Sequence, residues 1–140
     1  MVAAASTELM SEFAEPSPAG RLAGLRVLVV EDSFLAAASI SRMLLDLRCR
    51  VVGPVATGEK ALVQIEAGAC DAGVLDINLA GRTSEPIADE LFGRGIPYFF
   101  VTGYASPMLL SDRQRGHLRI HKPIAPAELR DALLRSLGAT

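Results

Sequence analysis

Ala72-Gly73-Val74-Leu75-Asp76-Ile77-Asn78 is a short apolar run that ends abruptly in a carboxylate. A run of this length reads as a buried strand of a parallel sheet, with Asp76 at its C-terminal edge. Open α/β sheets take their ligands just outside the carboxyl ends of their strands, so Asp76 stands where chemistry is expected. A helix-capping or solvated Asp after an ordinary strand would look the same. The other strand ends must decide.

Upstream, Arg26–Val30 forms a first apolar strand that runs into Glu31-Asp32-Ser33. Ser33 suits an N-cap, and Leu35, Ile40, Met43, Leu44 and Leu47 then mark one helix face. Arg50–Val55 is a second strand, closed near Gly53-Pro54. Thr57 caps a helix running to about residue 67, where Gly68 stops it. Downstream, residues 78–82 read as a loop, and Ser84-Glu85-Pro86 opens a third helix that ends near Gly93-Arg94-Gly95. Residues 97–102 form a fourth strand ending in Thr102. Residues 103–116 lack helical periodicity and contain Pro107, so a fourth helix there is short or irregular. Residues 118–121 make a fifth strand that delivers Lys122 and Pro123 to the edge, and residues 125–137 an amphipathic last helix. The alternation is that of an α/β domain with a doubly wound, five-stranded parallel sheet. It spans residues 23–140. Residues 1–22 read as a flexible tail with a linker at residues 16–20, although Leu9, Met10 and Phe13 could form one apolar turn that docks.

Bulk properties narrow the function classes. The 140 residues are half hydrophobic, with a net charge of −2 and no basic run, which removes the footprint of a nucleic-acid binder. No apolar stretch approaches the ~20 residues of a membrane span. Glu8 and Glu12 stand where a secretory signal would carry basic and apolar regions. Cys49 and Cys70 are isolated thiols, which fits reduced, structural cysteines in a cytoplasmic protein. His117 and His121 read as ordinary surface or strand residues. No G-x-G-x-x-G follows the first strand, so a dinucleotide site is not expected.

Four strand ends therefore carry polar residues at one rim: Glu31-Asp32, Asp76, Thr102 and Lys122. Three carboxylates there repel one another unless a cation joins them. Oxygen ligands of this kind suit Mg²⁺, held by Asp32, Asp76, Glu31 through water, and the backbone carbonyl of Asn78. Lys122 adds a point charge for one phosphoryl oxygen and Thr102 a neutral hydroxyl for another. No general base sits beside a Ser or Cys nucleophile. The set points to a carboxylate nucleophile that accepts a phosphoryl group.

An acidic pair after the first strand, Asp76 after the third, Thr102 after the fourth and Lys122-Pro123 after the fifth resembles the receiver domain of two-component response regulators. The resemblance covers about residues 25–137 and implies a (βα)5 flavodoxin-like fold. It implies that Asp76 is the phosphoacceptor for a histidine kinase and that Glu31, Asp32 and Asp76 organise Mg²⁺. It implies further that Thr102 and Lys122 ligate the phosphoryl group, and that Lys122-Pro123 is a cis bond. Typical receivers carry an aromatic switch residue three positions before the lysine, where this chain has Arg119. Tyr104 and Arg119 are accordingly the switch candidates. Phe99-Phe100-Val101-Thr102-Gly103-Tyr104 with Asp76-Ile77-Asn78-Leu79 looks like the stand-alone subgroup called FAT GUY, associated with HWE-type kinases and an atypical fourth helix. With no DNA-binding module after the last helix, the expectation is a non-enzymatic interaction switch or phosphate sink. Two rivals are kept. A haloacid-dehalogenase-type phosphohydrolase also uses a strand-end Asp, a Thr and a Lys, but wants a second Asp where this chain has Asn78. A degenerate receiver would act as a binding module without phosphorylation.

Overall fold

The computed structural model describes residues 17–103 and 109–138. Its elements are α1 (Pro18–Leu22), β1 (Arg26–Val30), α2 (Phe34–Asp46), β2 (Arg50–Val55), α3 (Gly58–Glu66) and β3 (Ala72–Asp76). There follow β4 (Asn78–Leu79), β5 (Arg82–Thr83), α4 (Glu85–Gly93), β6 (Tyr98–Thr102), α5 (Asp112–Arg115), β7 (Arg119–His121) and α6 (Pro126–Ser136). The main sheet is parallel with strand order β2-β1-β3-β6-β7. This is the doubly wound α/β fold that the sequence predicts, with β3 at its centre.

Strand alternation divides the core into two layers. Leu28, Val30, Leu75 and Phe100 face α3, α4 and the approach to α5, against Ile65, Ile87, Leu91 and Leu110. Val27, Val29, Val74, Phe99 and Val101 face α1, α2 and α6, against Leu22, Ile40, Leu44, Leu129 and Leu133. All five residues of β3 and of β6 are buried, as covering of both faces requires. Cys49 and Cys70 are free and buried, and burial pushes the Cys49 thiol up to about 11.

Three local expectations are corrected. Residues 78–82 are not a simple loop, because β4 and β5 pair as a small antiparallel hairpin, Asn78 opposite Thr83. Ala80 and Gly81 both have positive φ (52° and 87°), the geometry of a tight primed turn, and the Asn78 side chain accepts the Gly81 N–H at 2.8 Å. Positive φ is uncommon for Ala, so the pair carries no hairpin signal in sequence. The stretch read as linker contributes α1, whose start Ser17 caps by accepting the Gly20 N–H. Leu22 from this helix is only 1% exposed and joins the α2–α6 layer. Leu22→Ala is therefore expected to lower stability by about 2 kcal/mol in urea melts, where a tail residue would leave the midpoint unchanged. His117 is no ordinary surface residue. Its ring stacks on Tyr98 at 4.0 Å between centroids, and its Nε2 lies 2.7 Å from the Tyr98 carbonyl.

The fourth helix of the main alternation is α5, a single short turn. Polar contacts tie it to α4. Glu85 accepts the Ser111 N–H at 2.6 Å, Arg113 pairs with Asp89 at 2.5 Å, and Gln114 donates to Asp89 at 2.9 Å. Gln114, itself buried, also accepts the Tyr98 hydroxyl at 2.8 Å. Among the described residues no helix is long and apolar enough to cross a membrane.

Candidate functional site

Parallel strands deliver their C-terminal residues to one rim, and the register fixes which ones meet there. Val30 pairs with Leu75, and Asp76 with Val101, so Glu31, Asp76 and Thr102 emerge side by side. Thr102 in turn pairs with His121, which places Lys122 next in line. The Lys122-Pro123 peptide bond is cis, as the resemblance implies, and so is Gly53-Pro54, which the sequence does not announce.

One carboxylate oxygen from each of Glu31, Asp32 and Asp76 lies within 4.8 Å of the others. Glu31 is 3% and Asp76 6% exposed, whereas Asp32 stands open to water. The Lys122 ammonium bridges the buried pair, 2.8 Å from Glu31 Oε2 and 3.4 Å from Asp76 Oδ2. Backbone groups hold the remaining oxygens. The Ser33 N–H donates to Glu31 Oε1 at 3.1 Å, and the Asn78 N–H approaches Asp76 Oδ1 at 3.4 Å. Burial raises the Asp76 carboxyl to about 6; the Glu31 charge adds to this rise and Lys122 opposes it. For Lys122, burial alone would lower the ammonium, but Glu31 and Asp76 more than offset it and the net shift is upward.

This donor set fits a hard divalent cation. Glu31 Oε2 is fully buried and has no aligned hydrogen-bond donor, only the charge of Lys122. Two nearly dry carboxylates and one wet one share a pocket of negative potential that a single lysine does not neutralise. Oxygen ligands of this kind suit Mg²⁺, which keeps part of its water shell.

The other sequence candidates are distributed unevenly. Thr102 is fully buried, and its hydroxyl donates to the Gly103 carbonyl at 3.2 Å. Arg119 points elsewhere: its guanidinium donates to the Arg115 carbonyl at the end of α5. Tyr104 lies outside the described residues. The sequence reading missed the close Lys122–Glu31 pair, having assigned Lys122 to a ligand alone. It also missed Ser33 as the group that orients Glu31. That second contact is made by a backbone N–H, which any residue but proline would supply, so the sequence carries no signal for it.

Comparison with solved structures supplies an independent placement. The chain is 35% identical to SdrG from Sphingomonas melonis Fr1, with a TM-score of 0.74 over 81% of this chain and 97% of that one. It is 26% identical to the response regulator PhyR from Brucella abortus, with a TM-score of 0.71 over 82% of this chain. The match spans 48% of that protein, so the chain covers about half its length. The signal receiver domain of a modulated diguanylate cyclase from Desulfovibrio desulfuricans G20 is 26% identical, with a TM-score of 0.71 over 82% of this chain and 94% of that one. No family model and no curated protein matches the chain. Fold, rim and relatives agree, and the chain belongs to the receiver domains of response regulators.

Proposed function

We propose that the protein is a phosphorylation-controlled receiver that accepts a phosphoryl group on Asp76 from the phosphohistidine of a histidine kinase. The observation that carries this reading is the Lys122 ammonium lodged between buried Glu31 and Asp76. In the transfer, an Asp76 carboxylate oxygen bonds to phosphorus as the phosphorus–nitrogen bond breaks, and the electron pair leaves with the donor imidazole. Lys122 would follow the charge that develops on the phosphoryl oxygens, and the Thr102 hydroxyl would turn from the Gly103 carbonyl to meet another. Glu31, Asp32, Asp76 and the Asn78 carbonyl would hold Mg²⁺, which when bound neutralises charge between the carboxylate rim and the incoming phosphoryl group. The chain would then be a phosphoacceptor in the cytoplasm rather than a turnover enzyme, acting as an interaction switch or a phosphate sink.

The Thr102-Gly103-Tyr104 run and the single-turn α5 favour the FAT GUY subgroup, and with it a kinase of HWE type. Tyr104 and Arg119 are the switch candidates of this reading. Arg119 is suited to it through its bond to the Arg115 carbonyl, which links β7 to the end of α5. Acetyl phosphate with Mg²⁺ should add one phosphoryl group per chain by intact mass. Chelation and Asp76→Asn should each abolish that gain. Continuous release of p-nitrophenol from p-nitrophenyl phosphate would instead indicate a phosphohydrolase. A folded chain that no phosphodonor labels would be a binding module only.

A further inference from the structure

A cleft opens at the end of the sheet away from Asp76, between the last turns of α4 and α6 and the starts of β6 and β7. It encloses about 540 Å³, walled by Phe92, Ile96, Pro97, Tyr98, Leu118 and Leu137. This is within the size range of binding pockets, and its lining is mostly apolar. Phe92 is 73% exposed on its outer wall, a large aromatic with nothing described against its outer face. Arg135 stands at the rim, and its guanidinium makes no hydrogen bond or ion pair among the described residues. The features together make an apolar slot with one unpaired positive charge beside it.

The first described helix, α1, is tied to this slot through one long side chain. Ser17 caps α1, and Arg21 from the same helix donates to the carbonyl of Leu137, a cleft wall, at 3.4 Å. The preceding sixteen residues have a composition that complements the cleft. On a helix, the spacing of Leu9, Met10 and Phe13 would put them on one face, and that of Glu8, Glu12 and Glu15 on the adjoining one. Phe13 is four residues from Ser17, so even an extended chain places it within about 14 Å of that residue.

We propose that residues 1–16 dock in cis, with Leu9, Met10 and Phe13 in the cleft and the carboxylates of Glu8 and Glu12 toward Arg135. A tether this short gives an effective concentration on the order of millimolar, so a few apolar contacts and one charge suffice. A second copy of the chain would have to compete with that tethered segment. The proposal is independent of the phosphotransfer reading, because the cleft and Asp76 lie at opposite ends of the sheet.

The full chain carrying Thr7→Cys with a nitroxide label tests this by NMR. Cys49 and Cys70 are buried and leave the new thiol as the accessible one. Amide signals of Ile96, Leu118 and Leu137 should lose about half their intensity, and the loss should be independent of concentration, as expected of a tethered contact. Arg135→Glu should diminish the loss, and Glu8→Arg with Glu12→Arg in that background should restore it. Three results would overturn the proposal. One is broadening centred on another surface, such as that around Phe34 and Leu35. Another is broadening of an unlabelled chain in a mixed sample, which would assign the cleft to a second copy. The third is no selective broadening at all.

Discussion

Asp76→Asn is expected to abolish phosphorylation and, in the absence of divalent cations, to make the protein more stable at pH 7. The second effect follows from the raised carboxyl, which moves from 3.8 to about 6 on folding, chiefly through burial and the neighbouring Glu31. A carboxylate that is harder to ionise in the folded state than in the unfolded state opposes folding once it must be charged. The cost is absent below about pH 4, grows between pH 4 and 6, and is complete above pH 6. A rise of that size corresponds to on the order of 2–3 kcal/mol of lost stability at neutral pH. Denaturant melts of wild type and variant should therefore coincide near pH 4 and separate by that amount at pH 7. Mg²⁺ should narrow the gap, because bound cation would stabilise the ionised wild type and would meet one carboxylate fewer in the variant. Equal stability at both pH values would show that the carboxyl is not strained by its surroundings.

Lys122→Ala should have the opposite sign. Among the described residues it removes the only cation paired with Glu31 and Asp76, whose side chains are 1% and 8% exposed. Breaking a buried ion pair from one side costs about 3–5 kcal/mol when the survivor is dry. Lys122 itself is 27% exposed, so water can enter when it leaves, and about 2–3 kcal/mol at pH 7 is expected. The penalty should fade as pH drops and the carboxyls take up protons, since neutral groups no longer need the ammonium. In the Asp76→Asn background the same substitution should cost at least about 1 kcal/mol less, because contacting charges couple. A penalty that is constant from pH 4 to pH 8 would assign Lys122 a packing role only. Phosphorylation by acetyl phosphate should fall in this variant even where the protein is fully folded.

Much of the fold was legible because parallel strands announce themselves as bounded apolar runs. Arg26–Val30, Arg50–Val55 and Ala72–Asp76 have the limits read from sequence, and α2 and α3 begin after the caps Ser33 and Thr57. Where local signals conflict with tertiary context, sequence reading failed. Residues 18–22 have the composition of a linker, yet one leucine finds a buried slot between α2 and α6. The β4–β5 turn uses Ala80 in a conformation that Ala seldom adopts. At the rim, topology alone brings Glu31, Asp76, Thr102 and Lys122 to one place, so the cluster could be inferred without distances. Which partner Lys122 prefers could not. That depends on tenths of an ångström between two carboxylates and on the Ser33 N–H that turns Glu31. The direction of Arg119 was equally hidden, since β7 is an edge strand with one neighbour and offers its side chains a choice.

The contacts from Glu85 and Asp89 to Ser111, Arg113 and Gln114 give α5 a thermodynamic character of its own. Among the described residues, and apart from Leu110 and the buried Tyr98–Gln114 hydrogen bond, this turn is held by charge-assisted hydrogen bonds rather than by apolar area. Interactions of that kind are screened by salt, whereas the strands below it are held by burial and are not. Hydrogen exchange should thus find a separate opening unit at Asp112–Arg115, with lower protection than β1, β3 or β6 and a rate that rises with ionic strength. The receiver would then carry a subdomain whose opening equilibrium responds to electrostatics while its scaffold stays shut.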